Sequence, residues 1–89
     1  MNEILGPVAQ VIKIKLLEAL QPSHLEVIDE SNQHYGHVGA HPSGESHFRV
    51  RISAELLKGK SRVMQHRLVN EALSHELKTR VHALAIEVV

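Results

Sequence analysis

An α+β fold, with helices on one face of a three-stranded sheet, is predicted by three observations. Apolar residues recur at helical spacing over the first twenty positions, three later stretches alternate side chains with a period of two, and a long glycine-rich connection separates two of them. The order they imply is helix, strand, strand, helix, helix, strand (αββααβ), folded as a single domain over residues 1–89.

The first helix is expected over about residues 2–20, on the spacing of Ile4, Val8, Ile12, Leu16 and Leu20, with Leu5, Val11 and Leu17 widening the apolar stripe. Pro7 is tolerated in the first turns, and Pro22 ends the helix. Between His24 and Asp29, Leu25 and Val27 alternate with His24, Glu26 and Ile28, a short strand pattern. From His47 to Ile52 the alternation places Phe48, Val50 and Ile52 on one face and His47, Arg49 and Arg51 on a solvated one. These two strands are expected to pair as an antiparallel hairpin. Their connection, residues 31–45, carries Gly36, Gly39, Pro42, Ser43 and Gly44, which favour turns, and it is longer than a hairpin needs. Ser53 is positioned to cap a short turn through Leu57, and Gly59 to close it in a left-handed conformation. Ser61 is the expected N-cap of a helix running to about Lys78, with Met64, Leu68, Ala72, Leu73 and Leu77 as its buried stripe. The last strand, Val81 to Val89, sets bulky Leu84, Ile86 and Val88 against Ala83, Ala85 and Glu87, and His82 shares the bulky parity at its entrance.

Composition excludes several function classes. With no cysteine, the chain has neither a thiolate nucleophile nor a self-contained zinc–thiolate or iron–sulfur site. A net formal charge of +0 argues against strong non-specific attachment to nucleic acid or an acidic membrane. No basic segment followed by an apolar run opens the sequence and no run is long enough to span a membrane, so a cytoplasmic location is expected. Ser46-His47 and Ser74-His75 are sequence neighbours that point in different directions, so neither makes a nucleophile–base pair, and no enzyme activity is expected. Eight histidines in 89 residues are the compositional outlier.

The ordered motifs Leu25-Glu26-Val27, Asp29-Glu30-Ser31, Glu45-Ser46-His47-Phe48, Gly59-Lys60-Ser61, His66-Arg67-Leu68-Val69, Glu76-Leu77 and Val81-His82-Ala83-Leu84-Ala85-Ile86 resemble a BolA-family domain over about residues 4–88. The resemblance implies a fold similar to a type II KH domain. It also implies a partner, a monothiol glutaredoxin, and a [2Fe-2S] cluster shared with that glutaredoxin and glutathione, which supply the thiolates. In the family, the histidine opening the last strand is an iron ligand, and this role carries over to His82. A second ligand comes from the hairpin loop. Counting forward from Asp29-Glu30-Ser31 selects His34, counting back from Glu45-Ser46-His47-Phe48 falls nearer His37, and His41 is a third alternative. No cofactor is expected in the isolated protein, and the cluster-free form is expected to be a monomer. The sequence departs from the family pattern at Gln65, where a basic residue is common, and has no proline and helix after Val89.

Each candidate has a plainer reading beside it. His82 would otherwise be a rim histidine bonded to backbone, and the loop histidines a solvated segment able to catch zinc, nickel or copper adventitiously. His47 is expected to face outward in a structural hydrogen-bond network. Lys58, Lys60, Arg62, His66 and Arg67 form a positive stretch without an acid, at a helix N-terminus, and suggest DNA binding as an alternative function. Against that alternative, Lys58-Gly59-Lys60-Ser61 holds one glycine where KH clamps use two, and aromatic stacking residues are scarce.

Overall fold

The computed structural model describes residues 6–30 and 46–89. Helix α1 (Pro7–Leu20) leads into strand β1 (His24–Asp29), which pairs antiparallel with β2 (His47–Ser53). A 3-10 turn (Glu55–Leu57) follows, then helices α2 (Arg62–Ala72) and α3 (Ser74–Thr79), and β3 (Ala83–Val88), which lies parallel to β2. The sheet order is β1-β2-β3, so the central strand carries both partners. The parallel pairing is what the intervening helices permit, since a parallel connection needs a crossover of a dozen or more residues.

Period-two alternation decides which face is covered. Phe48, Val50 and Ile52 are fully buried, and the register places Leu25 and Val27 beside them from β1 and Leu84, Ile86 and Val88 from β3. Helix α1 lays Val8, Ile12, Leu16 and Leu20 against this face at four-residue spacing, and Leu57, Val69, Leu73 and Val81 complete the core. Val11 and Leu17, expected to widen the α1 stripe, are instead exposed with Ile14, because one stripe is all that a helix needs to cover a small sheet.

Several boundaries differ from the sequence expectation for local reasons. Helix α1 begins at Pro7 rather than residue 2, with Gly6 extended (φ −68°, ψ 170°), because a residue before proline is disfavoured in the α region. Ile4 and Leu5 lie outside the described residues. The helix ends through Gln21 in a left-handed conformation, one residue before Pro22. Ser53 does not cap the following turn; it ends β2, and Ala54 takes the capping position without a side-chain bond. Gly59 adopts φ 78° as expected, and Ser61 Oγ accepts the Met64 N–H at 3.2 Å, a true N-cap.

The expected helix to Lys78 is broken at Leu73 (φ −108°, ψ 19°) into α2 and α3. This turn re-aims the buried stripe. Met64 is 40% exposed, whereas Val69, Leu73 and Glu76 face inward. Glu76, with its side chain 7% exposed, is held by Lys15 of α1 at 2.7 Å, which ties α3 to α1 across the helical layer. The last strand is shorter than expected, Val81 being drawn into the core before pairing begins.

Leu16→Ala should lower the unfolding free energy by about 3 kcal/mol through lost burial and the cavity left behind. Ile14→Ala, on the same helix but 54% exposed, should change it by less than about 0.5 kcal/mol. Urea unfolding of both variants measures the contrast, and equal losses would mean that α1 buries a different face.

Candidate functional site at the loop end of the sheet

Glu30 and Ser46, the described residues that flank the connection, lie at one end of the sheet. The Glu30 N–H donates to His47 O at 2.8 Å, closing the β1–β2 pair at the mouth of that connection. Ser46 O accepts two N–H groups from the start of the last strand, those of His82 at 2.7 Å and Ala83 at 3.2 Å. His82 is therefore fixed in backbone position at the same end, and it is exposed. His34 and His37, with His41, fall outside the described residues.

His47 departs from the sequence expectation. It was expected on the solvated face, yet it is 6% exposed, beside Ser46 at 2%. Contrary to the expectation that these sequence neighbours point apart, Ser46 Oγ and His47 Nδ1 are hydrogen-bonded at 2.9 Å, the donor depending on the ring tautomer. Ser46 precedes β2, so strand alternation does not separate the two side chains. The His47 ring lies 5.2 Å from that of His82, centroid to centroid, with a tilt of 52°. The expected hydrogen-bond role holds, but its location was misjudged: alternation along a strand says which way a side chain leaves the sheet, not whether a neighbouring segment lies over it. No signal within Glu45-Ser46-His47-Phe48 reveals the contact with His82, 35 positions later in the chain; parity alone sets the two on opposite faces, and the contact forms where His82 stands just outside β3, before Ala83.

Among the described residues, this end carries the imidazoles of His47 and His82, with the carboxylates of Asp29 and Glu30 on the β1 side. A [2Fe-2S] cluster takes four ligands, of which histidine can serve as some. The chain fits as a nitrogen donor to a cluster whose thiolates come from elsewhere, and does not fit as its sole holder, since it has no cysteine. Among the described residues, no three histidine or carboxylate side chains converge as a metal-binding group.

The basic residues lie elsewhere. Lys58, Lys60, Arg62 and Arg67 are exposed and His66 is half-buried. Arg62, His66 and Arg67 line one shallow depression on α2 with Asn70 and Glu71, while Lys58 pairs with Glu55 at 2.6 Å. Arg62 and His66 also line a second concavity with Gln65 and residues 86–89. The basic cluster thus sits by the far end of β3 from His82, a strand length of about 20 Å.

The open face of the sheet carries an ion-pair ladder. Arg49 bonds Glu30, just past β1, at 2.9 Å and Glu87 at 2.7 Å, and Arg51 reaches Glu87 at 3.4 Å, so opposite charges alternate across the face from the end of β1 to β3. The Arg49 hydrogen bond holds the Glu87 carboxyl below its ordinary value of 4.5, with Arg51 assisting. Glu30 and Glu87 in turn raise Arg49, which stays charged at any working pH. The sequence gives little notice of this ladder, because its pairs arise from cross-strand register.

An α+β domain presenting imidazole at one end of its sheet is the class these features define. The BolA model, described as BolA-like protein, matches residues 16–89, and the chain belongs to the BolA-like family. An uncharacterized protein in the cobS 5′ region of a Sinorhizobium species is 51% identical over 79 residues, covering 88% of this chain and 85% of that protein. The DNA-binding transcriptional regulator BolA of Vibrio cholerae is 43% identical over 79 residues, 89% of this chain and 71% of the relative. Some relatives are longer, and the chain spans 57% of mouse BolA-like protein 1. Among solved structures, the BolA domain of SufE1 from Arabidopsis thaliana superposes with a TM-score of 0.85 at 44% identity, covering 96% of this chain and 93% of that one. The expected α+β architecture is shown by this likeness. No enzyme family is indicated, and among the described residues no helix is long and apolar enough to cross a membrane.

A carboxyl held low in the native state stabilises the fold above its unfolded-state value, and that contribution is lost as pH falls through the native value. Glu87→Gln should accordingly lose less stability than the parent as pH falls below 4.5. Thermal unfolding at a series of acid pH values reads this, and parallel profiles would remove Glu87 from the ladder's pH dependence.

Proposed function

We propose that this chain is a non-enzymatic partner of a monothiol glutaredoxin. It shares the [2Fe-2S] cluster that the glutaredoxin and glutathione hold by thiolate, and thereby modulates cluster trafficking or iron regulation. His82 supplies one imidazole ligand, and a histidine of the connecting segment, His34 or His37, supplies another. The observation that carries this reading is the exposed imidazole of His82, its backbone tied to Ser46 O at 2.7 Å, beside the mouth of a histidine-rich connection. Backbone pairing fixes where the ligand sits while its ring remains open to a partner. Replacing thiolate by neutral imidazole on an iron makes the cluster less negative and raises its potential, so a mixed complex differs in redox poise from an all-thiolate one. Membership of the BolA-like family, and the occurrence of such a domain in SufE1, support the reading.

Titrating a cluster-loaded monothiol glutaredoxin with this chain should change its visible absorption and circular dichroism, and His82→Ala should abolish the change. Spectra unaltered by the unsubstituted chain would count decisively against the proposal.

A second reading is DNA binding through Lys58, Lys60, Arg62, His66 and Arg67, favoured by the name of the Vibrio cholerae relative and by the convergence of Arg62, His66 and Arg67 on α2. Glu71 in the same depression and the Lys58–Glu55 pair reduce its positive charge. This reading predicts DNA affinity that falls steeply with salt and weakens uniformly when Lys58, Lys60 and Arg67 are neutralised. Binding insensitive to both would remove that surface from consideration.

A further inference from the structure

We propose that His47 is a positioning residue for His82, and that Ser46 anchors the two together. The functional consequence rests on the reading of His82 as an iron ligand; the coupling of the two rings does not.

Ser46 makes two bonds in different directions. Its carbonyl takes the His82 N–H at 2.7 Å, and its hydroxyl is bonded to His47 Nδ1 at 2.9 Å. One residue therefore holds both the backbone of His82 and the ring against which the His82 imidazole rests, 5.2 Å away. The parallel register, His47 beside Ala83, puts the two backbones one position apart, and His82, lying before β3 begins, is not bound by the strand alternation that would send its side chain to the opposite face. Burial points the same way. Ser46 and His47 are 2% and 6% exposed, although both are polar and His47 lies on the alternation of the open face. Buried polar side chains cost free energy unless bonded, so a buried Ser–His pair needs a local reason to be there.

An exposed histidine with no lateral contact samples three staggered χ1 wells, of which one would aim its ring correctly. A rigid ring packed at its side biases that choice before any partner arrives. Coordination is directional, and groups that orient a ligand typically change metal affinity by about 10–100-fold when removed. His47 sits one contact behind His82, which places its expected effect at the lower end, about tenfold.

The test uses the full chain, first without cluster. Three-bond couplings to the His82 β-protons should report one dominant χ1 rotamer. His47→Ala should average them, and Ser46→Ala should do so in part. His47→Phe, which keeps a ring but loses the bond to Ser46, should restore much of the bias, and carries the test if His47→Ala fails to fold. In complex with a cluster-loaded monothiol glutaredoxin, His47→Ala should then shorten cluster retention by about tenfold and His47→Phe by less. His82 couplings already averaged in the parent chain, unchanged in a folded His47→Ala variant whose melting temperature falls, or fully averaged in a folded His47→Phe variant, would overturn the proposal and leave His47 a packing residue only. By contrast, a His82→Ala chain that still alters the glutaredoxin spectra would defeat the cluster reading while leaving the coupling of the rings standing.

Discussion

Parallel pairing of β2 with β3, fixed at its start by the Ser46 carbonyl, is the constraint on which the rest of this structure depends. That oxygen accepts from both His82 and Ala83, which sets the whole register from His47 beside Ala83 to Ile52 beside Val88. A hairpin of β1 and β2 alone would be marginal in water, so the third strand is needed to give the sheet a stable face. The same bond decides where His82 stands. Stability and the candidate site thus share one origin, and a shift of one residue in this pairing would exchange the faces of β3 and move His82 away from the connection's mouth.

The energetics divide between the two faces of the sheet. On the covered face, Phe48, Val50 and Ile52 meet Ile12 and Leu16 with essentially no exposure, and this apolar burial is the main stabilising term. On the open face, Glu30, Arg49, Glu87 and Arg51 link the three strands, but they are partly solvated and screened, so they favour register more than they add stability. Glu76 is the exception within the helical layer. Its bond to Lys15 makes a carboxylate tolerable inside the apolar stripe, and it fixes how α3 sits beside α1.

Much of this was legible in the residue pattern, and the failures share a cause. Alternation in β2 and β3, the four-residue spacing in α1, the Ser61 cap and the left-handed Gly59 are all local signals, and the structure bears them out. The break at Leu73 was not legible, because Met64, Leu68 and Leu77 continue a helical spacing through it; tertiary packing turns Glu76 inward and Met64 outward instead. His47 was misplaced for the same reason, its burial arising from neighbours distant in sequence. His82 at the entrance of the last strand was readable from parity and motif, whereas its contact with His47 was not, since parity alone sets the two side chains on opposite faces.

Nitrogen ligation from this chain is the claim most directly open to measurement. Pulsed electron paramagnetic resonance on the reduced complex, with ¹⁵N-histidine incorporated only into this chain and an unlabelled monothiol glutaredoxin, reads the nuclei bonded to iron. Strong couplings from ¹⁵N, of which His82→Ala removes the His82 contribution, are the predicted result. A spectrum free of ¹⁵N coupling, in a complex that nevertheless forms, would mean that all the ligands are sulfur and that His82 never reaches the metal.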